Sequence, residues 1–168
     1  MNAQRFEEEI YQIKDKLYRF AARILNSRIE AEDVAQDLMS RFWERRKELG
    51  QYDNLEAYAM QSIKNMCFDK IRHQKVVQAS EKELMETQTA YYNDKQQETN
   101  EMQHLIKQAI NQLPEKQKMV MHLRDIEAYS FEEIEAVLNI DKVAIRVNLS
   151  RARKKVREEI LKTVNYGV

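Results

Sequence analysis

The feature that most limits the fold of this chain is its scarcity of residues that break a helix. Its 168 residues include only two glycines and one proline. Leucine, methionine, glutamate, glutamine, lysine and arginine, which all favour helices, are abundant instead. A chain with so few places to turn and so many helix formers is typical of helical proteins. The sequence therefore predicts an all-α fold.

Apolar residues recur at helical spacing through residues 1–76. They predict a first helix over about residues 3 to 26, and a second that starts at a capping box formed by Ser27 and Glu30. Asn54 is the predicted cap of a third helix, which runs to about Val76. The predicted core stripe of the first helix is Phe6, Ile10, Ile13, Leu17, Phe20, Ala21, Ile24 and Leu25. That of the second is Ala31, Val34, Ala35, Leu38, Phe42 and Leu49.

A polar, acid-rich stretch, residues 77–100, then predicts a flexible linker, because it offers too few apolar residues to form a core. Beyond the linker, helices are predicted near residues 101–112, 114–126, 131–138 and 142–163. The predicted architecture is thus two small helical domains, a three-helix bundle over residues 1–76 and a second domain over residues 101–168.

The last two predicted helices read as a helix-turn-helix whose charge changes at Lys142. Residues 142–157 hold seven Lys or Arg and no acid, although the formal net charge of the whole chain is zero. Asn139 occupies the turn position that needs a positive φ, and Asp141 caps the final helix. A basic, exposed face on the second helix of such a pair suits the DNA major groove. A solvated charged surface is the simpler alternative.

Side chains opposite the predicted core stripe of the final helix are the candidates for DNA contact. Arg146 and Arg151 are suited to bidentate hydrogen bonds with guanine, while the later cations, Lys155 among them, are suited to phosphates. The candidate DNA-binding residues here are Lys142, Arg146, Val147, Ser150, Arg151, Arg153, Lys154 and Arg157.

Four blocks of sequence carry a resemblance that covers nearly the whole chain. They are AEDVAQDLMSRFWERR, NLEAYAMQSIKNMCFDKIRHQK, LPEKQKMVMHLRDIEAYSFEEIEAVL and RVNLSRARKKVRE. In this order they resemble regions 2 and 4 of the extracytoplasmic function sigma factors, a group of the sigma-70 family. The resemblance implies a transcription initiation factor that binds core RNA polymerase, recognises minus-10 and minus-35 promoter elements and assists promoter melting. Residues 1–76 match region 2 and residues 101–168 match region 4.

The resemblance also implies a role for the second helix. In the family this helix binds a coiled coil of the polymerase β′ subunit, and the matching residues here are Asp33, Gln36, Asp37, Ser40 and Arg41. Acids near a helix N-terminus are also stabilised by the helix dipole, which accounts for Asp33 but less well for Asp37. Trp43, on the same helix, is expected in the core.

The third helix and the loop before it match the minus-10 segment of the family, whose specificity loop holds a flipped-out base. The matching residues are Tyr52, Lys64, Asn65, Asp69, Arg72 and His73. For Tyr52 and Tyr58, ordinary packing is an equally good explanation. The final helix matches the minus-35 segment, but Asn139, Val143 with Ala144, and Val147 with Asn148 depart from the usual pattern. The minus-35 base sequence is therefore not implied.

Partners follow from the resemblance: core RNA polymerase through its β′ coiled coil and β subunit, promoter DNA, and an anti-sigma factor. No cofactor, metal or small-molecule substrate is expected, and no enzymatic activity. Glu101 and His104 have the spacing of one half of a di-iron motif, but the other half is missing. His73 and His122 have no obvious acidic or cysteine partner.

The remaining composition predicts a cytoplasmic protein without membrane insertion. Cys67 is the single cysteine, the first residues do not resemble a secretory signal, and no apolar run approaches the ~20 residues that span a bilayer. The alternative function is a freestanding helix-turn-helix transcriptional regulator, which has no need for the acidic second helix. A pure protein-interaction bundle leaves the basic final helix unexplained.

Overall fold

The computed structural model describes residues 1–81 and 101–166, and the chain divides into two compact units, Met1–Asp94 and Lys95–Val168. Throughout the described residues the regular structure is helical, which confirms the predicted all-α fold. Residues 82–100, most of the predicted linker, lie outside the described residues.

The first unit is built on three long helical segments that pack against one another. Helix α2 packs on α3 and α5, and α3 also packs on α5. The helices of this unit are α1 (Ala3–Glu9), α2 (Lys14–Leu25), α3 (Arg28–Glu44), α4 (Arg46–Leu49) and α5 (Leu55–Glu81). Because α5 continues past Val76, the first part of the predicted linker is helical.

The prediction of one continuous helix over residues 3 to 26 is wrong. A 3₁₀ turn at Tyr11–Ile13 separates α1 from α2. Ile10 and Ile13 are both buried, and their spacing of three residues suits a 3₁₀ turn as well as an α-helix, so apolar periodicity could not distinguish the two. Before the turn, α1 places Phe6 edge-on to Trp43, with ring centroids 5.2 Å apart.

Only half of the predicted capping box at the start of α3 forms. The Ser27 hydroxyl accepts a hydrogen bond from the backbone N–H of Glu30 at 3.3 Å. The Glu30 carboxylate instead accepts a hydrogen bond from the side chain of Gln74, near the far end of α5. Lys16 of α2 forms an ion pair with Glu56, in the first turn of α5, at 2.9 Å. Helix α5 is therefore tied to its neighbours near both ends.

The core of the first unit contains the predicted stripes, apart from Leu25, which is half-buried. Cys67 is fully buried, and burial raises the pKa of its thiol to about 12. The expectation of a buried Trp43 is wrong, because Phe42 takes the inward position next to it and Trp43 stays 41% exposed. The Arg46 guanidinium lies 4.2 Å from the centroid of the Trp43 ring system.

The second unit consists of α6 (Glu101–Asn111), α7 (Glu115–Met121), α8 (Phe131–Leu138) and α9 (Lys142–Tyr166). Both α6 and α7 pack on α9. One cluster of its core is formed by Ala109, Ile110, Leu113, Ala152 and Val156. The core stripe predicted for α9 is Ile145, Leu149, Ala152, Val156 and Ile160, and all of these residues are buried except Ile160, which is half-buried.

A π-helical turn replaces the end of the helix predicted over residues 114–126. It covers His122–Ile126, and the N–H of Glu127 donates to the carbonyl of His122 at 3.0 Å. This wider turn brings the Glu127 carboxylate to 3.4 Å from Nε2 of His122, and both side chains are buried. The expectation that His122 lacks an acidic partner is therefore wrong. Pro114 is the N-cap of α7 and lies one residue before the helix.

Candidate nucleic-acid interface

The turn between α8 and α9 has the backbone geometry that the sequence predicts. Asn139 has a φ of 53°, in the left-handed region, and its N–H donates to the carbonyl of Glu135 at 2.9 Å. Asp141 caps α9 by accepting a hydrogen bond from the N–H of Ala144 at 2.8 Å. Ser130 caps α8 through the N–H of Glu133 at 3.1 Å. These caps fix a helix-turn-helix with α9 as its second helix.

The outward face of α9 carries all the candidate DNA-binding residues named for this helix. Lys142 is half-buried and the others are exposed, while Ile145 and Leu149 point into the core. The exposed candidates are Arg146, Val147, Ser150, Arg151, Arg153, Lys154 and Arg157.

Three cations of this face have acidic partners within the second unit. Lys142 pairs with Glu132 at 2.8 Å, and their hydrogen bond raises the pKa of the lysine and lowers that of the glutamate. Arg153 makes a bidentate contact with Asp125, at 3.0 and 2.5 Å, which raises the pKa of the arginine. Lys154 lies 4.0 Å from Glu158. Their charge is partly compensated before any ligand arrives.

Four other cations of α9 form no ion pair with any described residue: Arg146, Arg151, Lys155 and Arg157. The Arg146 guanidinium lies 5.4 Å from the centroid of the Phe131 ring, and Arg124 lies 4.8 Å from the same centroid. Such a cation–π contact orients the guanidinium without neutralising it. The uncompensated positive charge of α9 therefore lies on its outward face.

All candidate minus-10 residues except Tyr52 lie on α5, and all of these except Lys64 lie on the side away from the buried Ile63 and Cys67. Asn65, Asp69 and Arg72 stand three and four residues apart, and all three are exposed, as is His73. Arg72 forms an ion pair with Asp69.

Lys64 lies at one side of this set and is half-buried, and burial lowers the pKa of its ammonium group.

Aromatic rings form a stack that runs from the core of the first unit to the loop before α5. Phe42 is buried and stacks on Tyr58, with ring centroids 5.6 Å apart, and Tyr58 stacks on Tyr52 at 4.0 Å. A hydrogen bond to Tyr58 raises the pKa of the Tyr52 hydroxyl. Tyr58 thus has a ring on each face and is packed, whereas half-exposed Tyr52 is the outermost ring of the stack.

The candidate polymerase-binding residues form one exposed face of α3. Asp37 and Arg41 are joined by an ion pair at 2.9 Å, and the other members are Asp33, Gln36 and Ser40. An open groove of about 360 Å³ runs between α3 and α5. Its lining includes Asp33, Asp37, Arg41, Asp69 and Lys70. The structure thus brings the acidic face of α3 next to part of the candidate minus-10 face.

Two family models match the chain, each on one of the two units. The model of Sigma-70 region 2 matches residues 10–76, and that of Sigma-70, region 4 matches residues 103–156. The chain belongs to the sigma-70 family. This sigma factor therefore acts in transcription initiation, with RNA polymerase and promoter DNA as partners. A freestanding helix-turn-helix regulator is not favoured, because region 2 has no place in one.

Two curated sigma factors are similar to this one over most of their length. The ECF RNA polymerase sigma factor SigW of Bacillus subtilis is 26% identical over 157 residues, which cover 88% of this chain and 84% of SigW. The RNA polymerase sigma-E factor of Streptomyces coelicolor is 26% identical over 156 residues, covering 93% and 86% of the two chains. This sigma factor is thus of the extracytoplasmic function type.

A solved structure shares the fold. It is the co-crystal structure of the sigma factor RpoE with the anti-sigma factor NepR from Bartonella quintana. The match has a TM-score of 0.74 and 24% sequence identity, and it covers 95% of this chain and 98% of the solved one.

Several residues of the candidate interface escaped the sequence interpretation. Asp125 neutralises Arg153 across 28 residues of sequence, a pairing that only the folded unit creates. Arg124 and Phe131 lie next to Arg146, and nothing in the sequence pattern indicates this contact. Val143 is 67% exposed beside the candidate set, and its spacing of four residues from Val147 is the signal that points to it.

The described residues contain neither a metal-binding cluster nor a membrane-spanning helix. In residues 1–81 and 101–166, no group of three or more His, Cys, Asp or Glu side chains is placed to hold a metal ion. Among the helices of those same residues, none has the length and apolar character needed to cross a membrane.

Proposed function

We propose that this sigma factor holds a promoter with two separate helices, and that core RNA polymerase presents both. The second predicted domain, residues 101–168, binds the minus-35 element through helix α9. The first predicted domain, residues 1–76, binds the minus-10 element through helix α5 and the loop before it. The single observation that carries the proposal is the outward face of α9, where four cations that form no ion pair with a described residue lie on the second helix of a helix-turn-helix.

In the minus-35 complex, the first turns of α9 enter the major groove. Arg146, which is oriented by Phe131 and pairs with no described acid, donates to a base edge, with guanine as the best acceptor for a bidentate arginine. Arg151 lies one to two turns later on the same face and has the same capacity. Lys154, Lys155 and Arg157 contact phosphates, which fix the register of the helix on the duplex.

In the minus-10 complex, Tyr52 provides a stacking surface for an unpaired base. Taking a base out of the duplex costs a few kcal/mol, and stacking on an aromatic side chain returns about 1–3 kcal/mol. The Phe42–Tyr58–Tyr52 stack holds that surface in place from the core outward. Asn65 and Arg72 then contact the same segment, with Arg72 exchanging its Asp69 partner for DNA. Lys64 and His73 flank them.

The exposed face of α3 is the proposed contact with the β′ coiled coil of the polymerase, through Asp33, Gln36, Asp37, Ser40 and Arg41. A second contact joins the second unit to the β subunit. With a formal net charge of zero, the chain gains little from DNA by itself. Polymerase binding supplies the missing affinity by bringing both DNA-binding helices to one promoter.

Melting in this scheme is driven by binding energy, so no bond chemistry and no enzymatic activity are proposed. The chain works where polymerase and promoter DNA are, in the cytoplasm. We also propose an anti-sigma factor as regulator, since the solved relative from Bartonella quintana is bound to one.

Run-off transcription with purified core polymerase tests the proposal. We expect discrete transcripts only when the core and this chain are both present, with core alone as the control. Arg146→Ala should cost about 1–3 kcal/mol of promoter binding and relax sequence preference. The matched control is Lys162→Ala, at the far end of the same helix. Tight promoter binding by the chain alone, unchanged by core, contradicts the proposal.

A further inference from the structure

Two valines stand out on the outward face of α9. Val143 is 67% exposed and Val147 is 40% exposed, whereas Ile145 and Leu149 between and beyond them are buried. The two valines are four residues apart, so they lie on one side of the helix, with Arg146 next to Val147 and three residues from Val143. An apolar pair in the first turns of a basic helix contributes little to the core of the second unit.

The surroundings of the pair indicate what covers it. Lys142, Arg146 and Arg151 surround the two valines, and the latter two cations form no ion pair with a described residue. A polyanion attracted to this face therefore comes to rest against the valines as well. Within the major groove of DNA, the apolar group presented by the base edges is the 5-methyl of thymine.

We propose that Val143 and Val147 read thymine methyl groups in the minus-35 element, so that this sigma factor prefers thymine beside the base contacted by Arg146. This inference rests on the proposed binding of α9 to the minus-35 element, and it adds the base preference there.

The size of the effect follows from the area of one methyl group. Burying one such carbon is worth about 0.8 kcal/mol, which corresponds to an affinity change of about fourfold for each thymine methyl contacted. The change is small enough that binding survives its loss, and large enough to measure.

The test removes the methyl from the DNA and the valine from the protein in turn. Holoenzyme, the full chain with core polymerase, first selects its preferred minus-35 element from a randomised promoter library. Each thymine of that element is then replaced by deoxyuridine, which lacks only the 5-methyl. We expect at least one replacement to weaken holoenzyme binding about fourfold, and expect that loss to disappear with V143A, V147A or the double variant.

Val164→Ala is the matched control. Val164 is 45% exposed on the same helix, beyond the basic segment, and its substitution should leave the full deoxyuridine effect in place. Alanine favours helix more than valine, so none of these variants threatens folding.

Three results overturn the inference while leaving the proposed function intact. One is a selected element for which Arg146→Ala relaxes the sequence preference, but in which no replacement of thymine by deoxyuridine weakens holoenzyme binding. Another is a deoxyuridine effect of the same size in the V143A/V147A double variant. A third is a loss of core binding in that double variant with no change in base preference, which assigns the valines to polymerase. If no element is selected at all, the proposed function fails together with the inference.

Discussion

The two candidate DNA surfaces, on α9 and on α5, hold their charges differently. Four cations on the outward face of α9 form no ion pair with a described residue, whereas on α5 Arg72 is paired with Asp69. The α5 surface adjoins instead a stack of three aromatic rings that ends at Tyr52. Free cations suit the phosphates of duplex DNA, and an aromatic face suits an unpaired base.

If both surfaces bind the promoter as proposed, this chain divides promoter recognition between two physical effects. Ionic contacts weaken steeply as salt rises, while stacking on an aromatic ring depends on salt far less. We therefore expect duplex binding to depend on α9 and on ionic strength, and strand opening to depend on Tyr52.

The largest expected effects are on the stability of each unit, and they test whether the two hydrophobic cores are independent. Phe20→Ala should destabilise the first unit by about 3–5 kcal/mol and Leu123→Ala the second by about 2–5 kcal/mol, because both side chains are fully buried. Amide hydrogen exchange, read separately over each unit, measures both losses. Exposed Leu161→Ala is the control, with an expected change within about 0.5 kcal/mol. Equal loss of protection in both units from Phe20→Ala alone contradicts separate cores.

A smaller effect sharpens the role of the aromatic stack. Tyr52→Leu should cost about 1–3 kcal/mol in promoter opening, since an aliphatic side chain removes the stacking surface but keeps much of the apolar volume. Permanganate reactivity of unpaired thymines in the minus-10 element measures opening. Tyr52→Phe keeps the ring and should open promoters nearly as well as the unsubstituted chain. An equal loss in both variants assigns the function of Tyr52 to its hydroxyl.

The smallest expected effect tests the charges of α9. Lys155→Ala should weaken promoter binding evenly across sequences and lower the salt slope, the steepness of log affinity against log salt, by about 0.9, because one phosphate contact is lost. Arg153→Ala should lower the slope less, since Asp125 already compensates that charge. Filter binding by holoenzyme over a series of salt concentrations gives both slopes. If Arg153→Ala lowers the salt slope more than Lys155→Ala does, Arg153 breaks its ion pair with Asp125 and contacts DNA instead.

Features that one helix determines by itself could be predicted from the sequence. The buried stripe of α9, the Asp141 cap and the left-handed Asn139 each depend on residues within a few positions of one another. Local propensity and periodicity contain that information. The outward position of the α9 candidates followed from the same periodicity.

Features that depend on a neighbouring element could not be predicted in this way. The partner of Glu30 is Gln74, 44 residues away, rather than the start of its own helix. Trp43 lies at the surface because Phe42 occupies the adjacent inward position. The π turn brings the Glu127 carboxylate to His122, and both side chains are buried within the second unit. Tertiary packing decided each of these against the local preference.

The ties near both ends of α5, to Lys16 through Glu56 and to Glu30 through Gln74, have a mechanical consequence. A helix held by its neighbours near both ends is more apt to move as a rigid body than to bend. If the exposed face of α3 binds polymerase as proposed, α5 is expected to move with α3 as one piece. Under that proposal, the distance between the polymerase contact on α3 and the DNA contacts on α5 is set by the protein itself.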